Sequence, residues 1–309
     1  MDQYESLWEK DMPSGEAEKR AESLQKKGIH WVNFTEKDYP SLLKTIPDPP
    51  WLLYFRGDLS CCEEICVGIV GSRKISPYGR WAAHQLAEAA ASHGAVVVSG
   101  MALGADTAAH KGALAGGGKT IAVLGCGVDI CYPASNRQLM DEILENGAVI
   151  SEFPPGTPGL PHHFPVRNRI VSGLSQLLVV AEAGLSSGSL ITAELAAVQG
   201  RDVCAVPGNI NLPASIGTNK LIRDGAIPIL SPMDLVDLLG LEKGSAGTAV
   251  TLSEEERTLW KLLKENGEMT LDQLSRQTGR NIGQIQAFVT ILEMKGVLHS
   301  AMGKIFLAN

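Results

Sequence analysis

Three loops in the middle of the chain are rich in glycine and serine, the composition that holds phosphate groups, and the first adds a basic side chain. The first is Gly71-Ser72-Arg73, followed by Ser76-Pro77-Tyr78-Gly79. The apolar run Cys66–Val70 precedes it, so the loop carries a strand into a helix start. Backbone N–H groups at a helix start lack partners and the helix dipole is positive there, which favours an anion. Arg73 adds a planar fork suited to phosphate oxygens. An ordinary Gly-Ser turn has the same local composition, so the weight rests on repetition. The second loop, Ser99-Gly100-Met101-Ala102-Leu103-Gly104-Ala105-Asp106, opens a helix bearing His110 and Lys111. The third, Gly184-Leu185-Ser186-Ser187-Gly188-Ser189, opens another. Gly71, Ser72, Arg73, Ser99, Gly100, Gly104, Gly188 and Ser189 are therefore candidate phosphate contacts. All three loops leave the carboxyl ends of strands, where open α/β sheets bind ligands.

A proline-rich stretch, Ser151–Asn168, then leads into Arg167-Asn168-Arg169. Long loops without regular structure in compact domains usually serve function. Two arginines at a helix start oppose the dipole and call for an anionic partner. That partner is either a ligand or an internal carboxylate, Glu152 or Glu182. Phe153 or Phe164 could stack on a base, or belong to the core. Other chemistries fit less well. Gly116-Gly117-Gly118-Lys119-Thr120 lacks the first glycine of a Walker loop and precedes a strand where it should follow one. No GxGxxG follows the first strand. Gly184–Gly188 satisfies G-x-S-x-G with Ser186 as nucleophile, but the later histidine that order requires is only His299, near the chain end. His162-His163 are loop neighbours with little prospect of converging on one ion. The cysteines, Cys61, Cys62, Cys66, Cys126, Cys131 and Cys204, form no CxxC pair. No metal, cofactor or catalytic residue is predicted.

The elements that must position these loops follow from hydrophobic patterning. Short apolar runs at Cys66–Val70, Ala95–Ser99, Thr120–Leu124, Ala148–Ser151, Leu177–Ala181, Asp202–Val206 and Ala226–Leu230 alternate with amphipathic stretches. Near-continuous apolar strands belong to parallel sheets covered on both faces. The expected fold is a doubly wound, mostly parallel α/β sheet. Helices are expected at Tyr78–Ser92, Ala105–Ala115, Asn136–Glu145, Val166–Leu174, Ser189–Gln199 and Thr218–Arg223. Upstream, residues 1–64 read as a lead-in with a charged helix at Glu16–Lys27 and extended chain at Ile46–Trp51. The α/β domain is placed at 65–240 and a small polar linker at 241–250. Beyond it, Glu254–Asn266, Leu271–Thr278 and Gly283–Lys295 with a ribbon at Val297–Ser300 and Lys304–Ala308 have the plan of a winged helix over 251–309.

Charge narrows the function. The net charge is −7 over 309 residues, with no general electrostatic footprint for nucleic acid, so any polyanion site is local. Residues 251–309 carry seven basic and seven acidic side chains. The helix Asn281–Lys295 has one basic residue, at its far end, which leaves a protein-contact role as open as DNA binding. Without a long apolar run or an apolar leader, a membrane or secreted location is not expected. The expected setting is cytoplasmic, with reduced thiols.

On these residues the chain resembles the DprA family, also called Smf, of bacterial DNA-processing proteins. The resemblance lies in Val67–Tyr78 (VGIVGSRKISPY), Val98–Leu114 (VSGMALGADTAAHKGAL) and Ala122–Pro133 (AVLGCGVDICYP). It continues through Phe164–Ser175 (FPVRNRIVSGLS), Ser187–Ala193 (SGSLITA), Gly200–Gly208 (GRDVCAVPG) and Gly217–Ala226 (GTNKLIRDGA). It implies a Rossmann-like domain with a C-terminal winged helix, and a reduced or absent helical SAM-like domain ahead of it. It implies a cytosolic, non-enzymatic homodimer that binds single-stranded DNA with little sequence preference and helps load the RecA recombinase in natural transformation. Arg73 matches the family's phosphate-contacting arginine. Arg137, beside Asn136 after the Tyr132-Pro133 pair, matches a second basic contact. The alternative is a nucleotide-processing enzyme of the same superfamily, in which a carboxylate assists glycosidic cleavage; the corresponding loop here runs from Ser187 to Glu194 without that group's paired glycines.

Overall fold

The computed structural model describes residues 16–241, 253–294, 297–301 and 303–307. It divides into two compact units, Met1–Gly244 and Ser245–Asn309. In the first, nine strands form one sheet: β1 His30–Asn33, β2 Leu52–Gly57, β3 Cys66–Val70, β4 Val96–Ser99, β5 Thr120–Val123, β6 Gly147–Ser151, β7 Leu177–Val180, β8 Asp202–Ala205 and β9 Ile227–Pro228. Their order across the sheet is β1-β2-β6-β5-β4-β3-β7-β8-β9. From β6 to β9 every pairing is parallel, whereas β2 runs antiparallel to β6 and β1 antiparallel to β2. The chain winds outward from β3 to β6, then crosses back to place β7 on the other side of β3. The carboxyl ends of β3 and β7 therefore flank the point where strand order reverses, the ligand crevice of open α/β sheets.

Residue type explains this arrangement. Strands β3 to β7 are buried along their whole length, which requires apolar side chains on both faces. Each such valine or isoleucine contributes roughly 1.5–3 kcal/mol over an exposed one. The covering helices of the first unit are α1 Glu16–Lys26, α2 Pro77–Ser92, α3 Ala105–Ala115, α4 Arg137–Glu145, α5 His163–Gly173, α6 Gly188–Val198, α7 Ile216–Arg223 and α8 Pro232–Leu238. Alanines 82, 83, 87, 90 and 91 of α2 share one core with alanines 105, 108, 109 and 113 of α3. Small side chains let the two helices lie close, so the loops that start them meet at the sheet edge.

Three features depart from the sequence expectation. β1 and β2 hydrogen-bond into the sheet, so the α/β unit takes in residues from His30 onward, and 1–64 is not a separate lead-in. Tyr39, buried, donates its hydroxyl to the Pro50 carbonyl at 2.6 Å and fixes the segment between them. Helix α8 follows β9 behind a capping box of Ser231 and Asp234. β9 is two residues long where five were expected; the Ile229 N–H donates to the Ala205 carbonyl at 3.0 Å, and Pro228 presents no N–H towards the outer edge. The linker expected at 241–250 lies outside the described residues from 242 on.

The second unit has helices α9 Glu254–Asn266, α10 Leu271–Thr278 and α11 Ile282–Met294, then an antiparallel hairpin, β10 Leu298–Ala301 and β11 Lys304–Leu307. Ser253 with Glu256 and Thr270 with Gln273 form capping boxes at the first two helices. Leu263, Leu274, Ile285, Leu292 and Ile305 meet in its core. This is a winged helix. The ends expected at Lys295-Gly296 and Ala308 fall outside the described residues.

Candidate functional site

A cleft of about 500 Å³ opens at the carboxyl edge between β3 and β7. One wall is Gly71 to Lys74, and the other is the loop Gly184–Ser187 with the first turn of α6. Phe164, Arg167 and Asn168 of α5 form the third side, over Gly100, Ala102 and Asp106. Nine of the residues singled out from sequence thus line one cavity: Gly71, Ser72, Arg73, Gly100, Phe164, Arg167, Asn168, Gly188 and Ser189. Arg73 and Lys74 are exposed at its rim, and neither has a carboxylate within ion-pair distance among the described residues. The Arg73 guanidinium lies 5.3 Å from the centre of the Phe164 ring, and Tyr132 packs on that ring at 5.2 Å. A cation and two rings therefore stand side by side at the mouth.

The two helix starts that flank this cleft differ. At α2, Ser76 caps the helix by accepting from the Gly79 N–H at 3.0 Å. Glu182, buried just after β7, accepts from the Ser76 N–H at 2.9 Å and from the Ser76 hydroxyl, while its carbonyl accepts from the Ser72 N–H at 2.8 Å. The anion expected at that helix start is thus an internal carboxylate. This corrects the reading of α2 as an open phosphate seat; the rim groups Arg73 and Lys74 remain. At α6, by contrast, the N-cap Ser187 makes no side-chain cap bond, and its hydroxyl lies 2.8 Å from that of Ser189. No acidic side chain stands in the first turn of α6. Its partial positive charge faces the cleft through Ser187, Gly188 and Ser189.

Arg167 is only 3% exposed. Its Nη1 donates to the Gly100 carbonyl at 2.7 Å and to the Val123 carbonyl, and Nε donates to Asn168 Oδ1 at 3.3 Å. It ties the ends of β4 and β5 together beneath the cleft. Asp106, also buried, accepts from the Ala102 N–H at 3.2 Å. Burial pushes its carboxyl above the usual range, and the Arg167 charge and the N–H groups of Ala102 and Gly100 pull it back. Gly100 lies so close to this guanidinium that a β-carbon would stand 2.5 Å from it. Gly104 has φ +86°, and a β-carbon there would meet the Ser72 carbonyl at 2.3 Å. Gly100 shapes the floor by absence of bulk, and Gly104 lets the start of α3 lie against the Ser72–Arg73 backbone.

Five candidates do not line the cleft. Ser99 is buried and donates to the Ile69 carbonyl at 2.7 Å, strapping β4 to β3. Gly104 sits behind the Ser72–Arg73 backbone. Asn136 is buried, and its amide donates to the Met101 carbonyl at 3.0 Å and Thr107 Oγ1 at 2.9 Å. It thereby holds a loop in which Met101 has a φ of 61°, uncommon for a side-chain-bearing residue. Arg169 grips Glu152 with both terminal nitrogens, at 2.6 and 2.7 Å, and Asp48 through Nε at 3.0 Å. Its anionic partner is internal because a part-buried carboxylate at the head of the proline-rich loop requires one. Arg137 is exposed as the first residue of α4, beyond Tyr132 and outside the cavity. Phe153 stacks on His163 at 4.0 Å and takes no part in the cleft.

Lys74, Tyr132, Ser187 and Thr192 were not singled out from sequence. Lys74 carried a legible signal, being a cation next to Arg73. Tyr132 did not, because its contact with Phe164 is made by residues far apart in the chain. Among the described residues no histidine lines the cleft beside Ser186, and Glu194 is exposed outside it. No group of three or more histidine, cysteine or acidic side chains there could hold a metal ion. All six cysteines are buried and unpaired; burial raises the Cys126 thiol to about 11 and Cys204 to about 12. No helix is long and apolar enough to cross a membrane among the described residues.

Comparison with known proteins accords with this geometry. The family model for DNA recombination-mediator protein A matches residues 30–240, and that for the DprA winged helix domain matches 243–304. The DNA processing protein DprA of Streptococcus pneumoniae is 45% identical over 198 residues, 64% of this chain and 70% of that protein. That of Bacillus subtilis is 40% identical over 218 residues, 70% of this chain and 73% of that protein. Protein Smf of Escherichia coli is 41% identical over 217 residues, 70% of this chain and 58% of that longer protein. Among solved structures, the Streptococcus pneumoniae protein superposes with a TM-score of 0.66 at 42% identity, over 70% of this chain and 77% of that one. DNA processing protein A from Helicobacter pylori, whose structure concerns its single-stranded DNA binding mode, gives a TM-score of 0.62 at 32% identity over 68% of this chain and 95% of that one.

Proposed function

Because the chain belongs to the DprA/Smf family of DNA recombination mediators, we propose that its cleft holds the sugar–phosphate backbone of single-stranded DNA. The observation that carries this reading is the rim itself. Two cations without carboxylate partners among the described residues, Arg73 over the Tyr132–Phe164 ring pair and Lys74 next to it in the chain, stand opposite the uncapped start of α6. Cations and backbone N–H groups take phosphates without reading bases, and exposed rings accept any base face. Binding is therefore tolerant of sequence and steeply dependent on salt. Arg137, further along the same sheet edge, extends the track. The −7 net charge does not oppose this, since the field at the cleft is set by the cations local to its rim.

The same reading extends to the loading of the RecA recombinase onto the bound strand, by a homodimer in the cytoplasm, without an enzymatic step. Glu194 lies outside the cleft, which disfavours glycosidic cleavage of nucleotides there. The deciding experiment is an anisotropy titration comparing single-stranded and duplex oligonucleotides over a salt series. A clear preference for the single strand is expected, as is faster recombinase assembly in its presence. Preference for duplex, or base release from AMP, would overturn the proposal.

A further inference from the structure

Helix α2 turns its alanines to the core and leaves a bulky stripe outside. Pro77, Arg80, Trp81 and His84, spaced as neighbours on one helical face, line an open hollow together with Ile75. Trp81 is 57% exposed and Tyr78 48%. Their rings stack with centroids 6.1 Å apart and planes inclined by 27°, and the Tyr78 hydroxyl donates to the Pro207 carbonyl at 3.0 Å, which fixes that ring. Trp81 stands outside the core, because the buried face of α2 is made of Gly79, Leu86 and alanines. The hollow begins where the cleft ends, since Lys74 lines the cleft and the next residue, Ile75, lines the hollow. Lys74 and Arg80 are exposed, with no ion-pair partner among the described residues. The carboxylate on this stripe is Glu88, at its far end and 3.4 Å from His84.

We propose that Tyr78 and Trp81, flanked by Lys74 and Arg80, form a second base-stacking platform that receives the single strand as it leaves the cleft. The inference rests on the reading of the cleft as a single-strand site, and commits the α2 face to nucleic acid over a protein partner. Its support is the chemistry of the face and its continuity with the cleft: an aromatic pair takes bases of any identity, and unpaired cations on either side take the adjoining phosphates.

The test uses the full chain and two oligothymidylates, one of about six nucleotides to fill the cleft and one of about twenty to reach beyond it. Trp81→Ala is expected to weaken the long oligomer by about fivefold or more and to leave the short one within about twofold. Trp81→Phe keeps a ring and is expected to recover most of the loss. Arg80→Ala is expected to lower the salt slope on the long oligomer by about one. An unchanged affinity of Trp81→Ala for the long oligomer, or an equal loss on both lengths, would overturn the platform. A wild-type chain that binds neither oligomer would overturn the cleft reading with it. Binding that depends on Arg73 but not on Trp81 would overturn the platform alone.

Discussion

Arg73, Arg167 and Arg169 lie near one another in the sequence-derived site, yet the structure gives each a different task. Arg73 keeps its guanidinium at the rim over Phe164. Arg73→Ala is expected to weaken single-strand binding by about tenfold or more and to reduce the salt slope by about one, read by anisotropy. Arg169 is held by Glu152 and Asp48. Arg169→Ala leaves a part-buried carboxylate unpaired and is expected to cost about 3 kcal/mol of stability in urea unfolding, in contrast to Arg73→Ala. Sequence could show that two arginines at a helix start needed anions, but not which were internal, because Glu152 and Asp48 reach Arg169 only through the fold. His110 gives a third case. Thr120 Oγ1 already donates to the Val97 carbonyl, so His110 Nδ1–H donates to Thr120 at 2.7 Å and Nε2 is left without a partner. Burial, then the Arg167 charge, lowers its pKa to about 3. The unfolded imidazole titrates near 6.5, so its contribution is complete above that pH and declines as pH falls towards 3. Between pH 7.5 and 5, His110→Asn is expected to lose about 2 kcal/mol less stability than the wild type.

At the scale of elements, the parallel strands and their helices were legible because burial on both faces demands continuous apolar runs. β1 and β2 were not, because Leu52–Gly57 mixes exposed and buried positions and pairs with a strand far along the chain. The glycine–serine loops were also legible, but not that the start of α2 is filled by Glu182 while that of α6 stands open. The α6 start can be tested alone. A β-carbon at Gly188 meets nothing within 4 Å, and its φ is not positive. Gly188→Asp puts a carboxylate where the helix dipole welcomes one. It is expected to stabilise the chain by about 0.3–1 kcal/mol in thermal unfolding while lowering single-strand affinity by about tenfold. A stabilised chain whose single-strand affinity is unchanged would show that α6 does not face the strand.

Across the whole molecule, two units of different character share one chain. The α/β unit sets Arg73 and Lys74 at the rim of its cleft despite an acidic total. In the winged helix, α11 carries no lysine or arginine between Ile282 and Met294, and it exposes Ile282 and Ile291. Such a surface suits protein contact better than base reading. Removing residues 245–309 is therefore expected to leave single-strand affinity within about twofold, measured by the same titration. In the sequence, a polar stretch at 241–250 lies between two patterns of hydrophobicity. The cleft in the first unit has a kinetic corollary. Glu182 holds the Ser72 and Ser76 backbone on one side of the crevice while belonging to the strand end on the other. The two walls are spaced before any strand arrives, so little rearrangement stands between encounter and capture. Association is then expected to run at the rate that charge steering sets, with most of the salt dependence in the on-rate and little in the off-rate.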